Sequence, residues 1–191
     1  ILPMCDQRVE TRVGTPIGEL SFEEYFVKRW YQDPVESVRF AGASESEPAT
    51  GVIEAITTAT AVLIAPSNPV TSIGPILAVP GVREALANTS APVVAVSPII
   101  GTAAVSGPAA NLMRAQGLEV SIAGVVKAYE DFLHVLVAHE SDAEFAKSVS
   151  IGKIEIQCAD ILMRTIDDRK RVAATALSLP RPKIIQEQAA G

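Results

Sequence analysis

Short apolar runs alternate with amphipathic stretches from residue 60 to near the end of the chain. Runs with few polar positions are typical of strands buried on both faces of a parallel sheet, and the stretches between them have helical spacing. The predicted strands are 60–65, 92–97, 118–124, 132–139 and 153–159. The predicted helices are 79–89, 107–117, 124–132, 141–150 and 167–179. This alternation predicts an α/β fold, a mostly parallel sheet with helices on both faces.

The N-terminal part of the chain has a different pattern. Residues 9–13 (VETRV) and 18–22 (GELSF) alternate apolar and polar positions on either side of a Gly-Thr-Pro turn, which predicts a β-hairpin. Residues 22–32 carry aromatic and apolar side chains at helical spacing and stop before Pro34, which predicts an amphipathic helix.

A short strand over 36–42 and a short helix over 52–59 complete the predicted elements. The length of 191 residues suits one sizeable core, so we expect a single α/β domain over 1–180 and a tail over 181–191. The chain begins with Ile1 and not Met, so it is expected to be processed or to be part of a longer polypeptide.

Composition and charge narrow the class of protein. Hydrophobic residues make up 48% and charged residues 20% of the chain, and the formal net charge is −6. An acidic chain without a basic patch is not expected to bind nucleic acid. No apolar run reaches the ~20 residues of a membrane helix, and no signal peptide is evident. Cys5 and Cys158 match no zinc or CxxC spacing, so we expect buried free thiols and a cytoplasmic protein.

The first candidate site follows the predicted strand 60–65. Ligands in open α/β sheets bind at the carboxyl ends of the strands, where loops lead into helices. Four polar side chains stand there within six positions, and prolines fix the loop around them: Ser67, Asn68, Thr71 and Ser72. They are candidates for binding the phosphate of a nucleotide. The alternative interpretation is that they only cap and turn the chain before the next helix.

The second candidate site follows the predicted strand 92–97. Ser97 and Gly101 leave this strand, and Ser106 and Gly107 precede a helix that begins near Pro108. A glycine-bearing loop before a helix is a place where phosphate can bind, although neither GxxxxGK[ST] nor GxGxxG is present. The two loops leave neighbouring strands, so they can face one another.

Metal and acid–base candidates are few. Asp6, near the start of the chain, is a candidate Mg²⁺ ligand, with a solvated surface carboxylate as the alternative. His134 lies inside an apolar run and is expected to be a half-buried, hydrogen-bonded imidazole. His139 ends that run, where a solvated loop is the favoured interpretation. No zinc motif and no GxSxG nucleophile elbow occur, so catalytic residues remain unassigned.

The order of several motifs resembles one known family. These motifs are ILPMCDQRVETRV (1–13), GELSFEEYFVKRW (18–30), PSNPVTSIGPILAVPGVREAL (66–86), APVVAVSPIIG (91–101), SGPAANLMRAQGLEVS (106–121) and LMRTIDDR (162–169). Together they resemble the 2-phospho-L-lactate transferase family of coenzyme F420 biosynthesis (LPPG:Fo phospholactate or phosphoenolpyruvyl transferases) over residues 1–178. Members of that family are longer, so the resemblance implies that this chain is their C-terminal portion.

The resemblance implies a Rossmann-like fold, a homodimer and a transferase that requires Mg²⁺. Such an enzyme moves a phospho-three-carbon-acid group from a GDP-activated donor to the ribityl hydroxyl of the deazaflavin Fo, and GMP leaves. No covalent nucleophile is needed for this reaction, because phosphate-binding donors and a metal stabilise the charge. The alternative is a non-catalytic regulator of a related fold that binds nucleotides or nucleotide-sugars.

Overall fold

The computed structural model describes residues 1–105 and 107–178, in which strands and helices alternate after an N-terminal hairpin. The strands are β1 Glu10–Thr15, β2 Gly18–Ser21, β3 Ser37–Ala41, β4 Val62–Ile64, β5 Val93–Val96, β6 Ile99–Ile100, β7 Ala103–Ala104, β8 Val135–His139 and β9 Glu155–Ala159. The helices are α1 Val52–Thr57, α2 Gly74–Leu77, α3 Val82–Asn88, α4 Ala109–Ala115, α5 Ile122–Ala128, α6 Ala143–Ala146 and α7 Ile166–Ser178.

A parallel sheet forms the centre of the molecule, with the strand order β4-β5-β8-β9. Alternate residues of β5 point into two different cores. Val93 and Ala95 pack with residues of α3, α4 and α5 on one face, while Val94 and Val96 pack with residues of α7 on the other. The α/β fold with helices on both faces is therefore confirmed.

The N-terminal sheet is antiparallel, with the order β2-β1-β3. Thr15 Oγ1 donates a hydrogen bond of 2.7 Å to the Gly18 carbonyl and closes the turn between β1 and β2. The predicted hairpin and the strand over 36–42 are confirmed. This sheet lies against α4, since Gln116 Nε2, just after that helix, donates to the Val38 carbonyl of β3 at 2.8 Å.

The predicted strand over 118–124 is wrong, because this run contains a helix cap. Ser121 has extended backbone angles, and its hydroxyl oxygen accepts hydrogen bonds from the N–H groups of Ala123 and Gly124. A serine at this position satisfies N–H groups that a helix leaves without partners. The helix therefore starts at Ile122, two residues before the helix predicted over 124–132.

The predicted helix over 22–32 begins where expected but ends earlier in the structure. Residues 22–28 are helical, with a π-helical segment over Glu24–Lys28, and the helix ends before Trp30 and Tyr31, whose φ angles are +52° and +46°. Two consecutive left-handed residues cannot continue a right-handed helix. The chain then turns toward β3.

The remaining predictions concern His134, the two cysteines, membrane helices and the C-terminal tail. His134 is half-buried, and its Nδ1 accepts a hydrogen bond of 3.0 Å from the Val93 N–H, as predicted. Cys5 is buried as predicted, but Cys158 is exposed, because β9 lies at the edge of its sheet. No helix among the described residues is long and apolar enough to cross a membrane. The predicted tail, 181–191, lies outside the described residues.

Candidate functional site

A cavity of about 390 Å³ opens where β4 and β5 end at their carboxyl termini. Its volume lies in the range that holds a small ligand. Four of the polar side chains predicted from the sequence line it: Ser67, Asn68, Thr71 and Ser72. The remaining wall is built by Ser97 and by apolar residues from three other segments, which include Phe22, Phe26, Ile100, Val105, Ile161, Leu162 and Met163.

The Asn68 side chain has two polar groups, the acceptor Oδ1 and the donor Nδ2, and they differ in their hydrogen bonding. Its Oδ1 accepts hydrogen bonds from the N–H groups of Val70, at 2.9 Å, and Thr71, at 3.4 Å. Asn68 therefore caps the helical segment Pro69–Ile73, as the alternative interpretation of this loop proposed. None of the hydrogen bonds within the described part of the chain uses its Nδ2 group, which is a donor on the cavity wall.

Three hydroxyl groups complete the polar side of the cavity. Ser67 and Thr71 are partly buried and Ser72 is exposed, and all three line the cavity. The backbone N–H groups from Val70 to Ile73 already pair with Asn68, so these four groups are not donors for a ligand. Hydroxyl and amide groups suit the oxygens of a phosphate or a sugar.

Ser97 lies on the cavity wall, but its hydroxyl group has backbone partners. The hydroxyl donates to the Ile99 carbonyl at 2.8 Å and accepts from the Ile99 N–H at 3.1 Å, and Ser97 is only 1% exposed. The hydroxyl closes the turn that leads from β5 into β6. Ligand binding by Ser97 stays a prediction, which this geometry does not favour.

The rest of the second loop differs from the expected phosphate cradle. The Gly101 N–H donates to Asp142 Oδ1 at 2.9 Å, so this N–H is occupied. Gly107 is exposed, and both glycines have positive φ angles, +60° for Gly101 and +68° for Gly107. Neither glycine is among the cavity-lining residues, although their neighbours Ile100 and Pro108 are. Ser106 lies outside the described residues.

Two parts of the cavity wall were not predicted as site residues. Phe22 and Phe26 were assigned to the apolar face of a helix, and their spacing alone gives no sign of a ligand. The other part, Ile161 to Met163, follows β9, and the rule that ligands lie at strand ends could have found it. Arg171 of α7 holds this segment by donating to the carbonyls of Asp160 and Leu162.

The cavity wall carries no charged side chain among the residues described. The N-terminus of α7, which follows the wall segment Ile161 to Met163, is occupied by one of the helix's own carboxylates. Asp168 accepts hydrogen bonds from the N–H groups of Arg164, at 2.9 Å, and Thr165, at 2.8 Å, and these bonds hold the pKa of its carboxyl well below the ordinary value. An anion in the cavity therefore meets neutral donors from this chain.

A magnesium site is not assembled within the described ranges. Asp6 is exposed and does not line the cavity. No group of three or more His, Cys, Asp or Glu side chains is placed to hold a metal ion in residues 1–105 and 107–178. Because Mg²⁺ is bound through carboxylates and phosphate oxygens, these residues alone do not fit such an ion. A role for Asp6 as a metal ligand stays a prediction.

Comparison with known proteins decides the family. A family model described as 2-phospho-L-lactate transferase CofD matches residues 1–170. The chain belongs to this family. It is 40% identical over 177 residues to a 2-phospho-L-lactate transferase of Methanocaldococcus jannaschii, covering 91% of this chain and 55% of that protein. It is also 40% identical over 184 residues to a phosphoenolpyruvate transferase of Streptomyces coelicolor, covering 94% of this chain and 58% of the relative.

Further comparisons show how much of a CofD relative this chain spans and which solved structure has a similar fold. A CofD-family transferase from Methanopyrus kandleri is 42% identical over 183 residues, which are 57% of its length. The chain thus spans a little over half the length of these curated relatives. A crystal structure of the protein BH3568 from Bacillus halodurans superposes with a TM-score of 0.63 at 16% identity, covering 92% of this chain and 60% of that one. This likeness supports the fold alone.

Proposed function

We propose that this chain supplies part of the site of a transferase that uses a GDP-activated donor. The enzyme would move a phospho-three-carbon-acid group to the ribityl hydroxyl of the deazaflavin Fo, giving an F420 precursor. The observation that carries the proposal is the row of neutral donors from Ser67 to Ser72 on a cavity at the strand ends of a CofD-family chain.

The donors of the first loop have a defined part in this reaction. The Fo hydroxyl oxygen forms a bond to the phosphorus of the phospho acid, and the bond from that phosphorus to the GMP oxygen breaks. GMP leaves with that oxygen, and the hydroxyl proton goes to solvent. The hydroxyls of Thr71 and Ser72 and the Nδ2 of Asn68 would donate to the phosphate oxygens, where negative charge accumulates.

The cavity volume and the uncharged cavity wall both indicate that the proposed reaction needs groups from outside this wall. A cavity of about 390 Å³ is suited to one small ligand, whereas this reaction needs a nucleotide and a deazaflavin together. The neutral wall also leaves the phosphate charge without a cation. We therefore include Mg²⁺ and a homodimer in the proposal, as the family resemblance implies, and assign neither a metal ligand nor a reaction step to the ion.

The proposal is tested by nucleotide binding to the natural protein that contains this chain. Calorimetry with GDP in the presence of Mg²⁺ is compared between the wild type, Ser72→Ala and Thr71→Val. Loss of a hydrogen bond to a charged group should weaken GDP binding roughly 10-fold or more. Ser90→Ala removes an exposed hydroxyl that does not line the cavity, and serves as the matched control.

Activity provides the second arm of the test. GMP release from a GDP-linked phospho acid should require both Fo and Mg²⁺ and should fall in the Ser72→Ala variant. Unchanged GDP affinity in both loop variants would remove the 67–72 loop from the site. Tighter binding of a UDP-sugar than of GDP, with no GMP release, would favour the regulator and overturn the transferase.

A further inference from the structure

The connection between β9 and α7 forms one wall of the cavity without belonging to a helix or a strand. β9 ends at Ala159 and α7 begins at Ile166, and residues 160–165 between them have no regular structure. Three consecutive side chains of this connection line the cavity: Ile161, Leu162 and Met163. Because no ladder or helix pairs its backbone, the connection needs other partners to keep one position. We call residues 160–165 the β9–α7 connection.

Arg171, on α7, supplies partners for the first half of the β9–α7 connection. Its guanidinium donates to the carbonyl of Asp160 and, at 3.0 Å, to the carbonyl of Leu162. The same group pairs with the carboxylates of Asp160, at 3.0 Å, and Asp168, at 3.2 Å. These contacts of one planar group fix the backbone on both sides of Ile161.

Two aspartates accept hydrogen bonds from three N–H groups of the connection. Asp160 Oδ1 accepts from the Leu162 N–H at 3.0 Å. Asp168 Oδ2 accepts from the N–H groups of Arg164, at 2.9 Å, and Thr165, at 2.8 Å. The connection is therefore held at both of its ends, and a single guanidinium joins the two carboxylates.

We propose that Arg171 is a positioning residue for ligand binding in the cavity. It does not line the cavity itself, and it acts through the β9–α7 connection, which places Leu162 and Met163 on the wall that Ser72 also lines. The inference rests on the proposed function, which supplies the ligand. An ammonium group cannot replace this guanidinium, because it has fewer N–H donors and no fixed planar arrangement to serve two carbonyls and two carboxylates at once.

A purely structural role of these contacts predicts a different result. The side chains of Arg171 and Asp168 are 38% and 28% exposed, and ion pairs near the surface contribute little to global stability. Removal of the guanidinium, however, leaves two carbonyls of the connection without their donor. We therefore expect Arg171→Ala to disturb the cavity wall more than it lowers the free energy of unfolding.

Met163 reports on the position of the wall without any ligand. It lines the cavity, and its isotope-labelled methyl group gives an NMR signal that the Met163→Leu variant identifies. In the natural protein that contains this chain, Arg171→Ala should shift or broaden this signal and leave that of the buried Met113 unchanged. Millimolar guanidinium, far below the molar concentrations that unfold proteins, should restore the Met163 signal, whereas methylammonium should not.

The second readout is ligand binding by the same variants. In calorimetry with GDP and Mg²⁺, Arg171→Ala and Arg171→Lys should each raise the Kd roughly 10-fold, because a displaced wall no longer fits the ligand. The KM for the GDP-linked donor should rise more than kcat falls, since the wall contacts the ligand before and during the reaction. Arg169→Ala removes an exposed guanidinium of the same helix that does not line the cavity, and as the matched control should change neither readout.

The outcomes separate this inference from the proposed function. An unchanged Met163 signal in Arg171→Ala would overturn the inference whatever ligand the cavity binds. Wild-type GDP affinity in Arg171→Ala or Arg171→Lys would also overturn it and leave the transferase in place, and so would a loss of affinity that guanidinium does not restore in Arg171→Ala. A Met163 signal that is disturbed and then restored, in a protein whose wild type binds no GDP, would support the positioning role and overturn the transferase.

Discussion

The Asp142 carboxylate accepts a hydrogen bond of 2.9 Å from the backbone N–H of Gly101. This contact joins the segment after β8 to the loop between β6 and β7, whose neighbours Ile100 and Val105 line the cavity. Asp142 is only 4% exposed, and its second oxygen, Oδ2, is buried without a hydrogen-bond partner among the described residues. The contact therefore fixes the position of a loop that borders the cavity. Burying Oδ2 without a partner costs free energy.

Replacing Asp142 by Ala is expected to destabilise the protein by about 1–3 kcal/mol, because the Gly101 N–H loses its acceptor. The free energy of unfolding in urea measures this loss. Hydrogen exchange of the Gly101 amide should accelerate more than that of the β5 amides, since the loop opens locally. Glu144→Ala removes an exposed carboxylate on α6 and should change neither quantity. Equal exchange at Gly101 in Asp142→Ala and wild type would contradict the role assigned to this contact.

Asn68 allows the capping and ligand-binding functions of one side chain to be separated. Asn68→Ala removes the acceptor for the Val70 and Thr71 N–H groups, and we expect a loss of about 0.5–2 kcal/mol in unfolding free energy. Asn68→Asp keeps an oxygen acceptor, so stability should stay close to the wild type. Its added negative charge faces the cavity and should weaken GDP binding in calorimetry by a larger factor than Asn68→Ala does.

The matched control for this pair is Asn88→Ala. Asn88 lies at the end of α3, is exposed, and donates its amide hydrogen bond to the Glu84 carbonyl at 2.8 Å. Its replacement should affect stability slightly and GDP binding not at all. If Asn68→Asp binds GDP as tightly as the wild type, the side chain serves only as a helix cap.

The sequence pattern correctly predicted the central strands of the sheet. These strands are buried on both faces, so their residues are nearly all apolar and the run is visible in the sequence. The apolar runs around Val93–Val96 and Val135–His139 form central strands because both of their faces must be covered. The run over 118–124 was also predicted as a strand, although it contains Glu119 and Ser121, and in the structure Ser121 caps a helix inside it. An apolar run of this length does not distinguish a buried strand from a buried helix, so the cap decided the outcome.

The candidate site was predicted in part for a similar reason. The rule on strand ends located Ser67, Asn68, Thr71 and Ser72, because it depends only on sheet direction. It could not show that Gly101 pairs with Asp142, or that Phe26, in the π-helical segment after β2, lines the same cavity. Those contacts join residues distant in the chain, and periodicity carries no information about them.

His134 is expected to make stability depend on pH. Burial lowers the pKa of this imidazole, and the Val93 N–H donates to its Nδ1, so the folded state holds the neutral ring. The pKa in the unfolded chain is about 6.5, higher than in the folded state, so the unfolded chain binds more protons between the two values. Stability should therefore fall as the pH drops below about 6.5 and level off below the folded-state pKa.

Urea unfolding at a series of pH values measures this dependence. His134→Gln, which keeps a hydrogen-bond acceptor without titrating, should have a smaller slope over the same range. His139→Gln, at the end of the same strand, provides a comparison in which the His134 contribution is retained. A slope that is identical in His134→Gln and wild type would rule out His134 as its source.

Gly124 lies in the first turn of α5. For the variant Gly124→Ala, two physical effects predict changes of opposite sign in the free energy of unfolding. Helix propensity alone would make Gly124→Ala stabilising by about 1 kcal/mol. A Cβ at this position, however, would lie 1.9 Å from the carbonyl oxygen of Glu119, which belongs to the backbone and cannot rotate away. We therefore expect destabilisation of about 1–3 kcal/mol or more in urea unfolding.

Gly117 supplies the contrast that identifies the cause. Its φ is +70° and a Cβ there would meet no atom within 4 Å, so Gly117→Ala suffers only the conformational penalty of about 1 kcal/mol. If steric contact dominates at Gly124, its variant is the less stable of the two and the amides of α5 exchange faster. A Gly124→Ala protein more stable than the wild type would mean that Glu119 does not pack against the first turn of this helix. The cap at Ser121 would then need a different geometry.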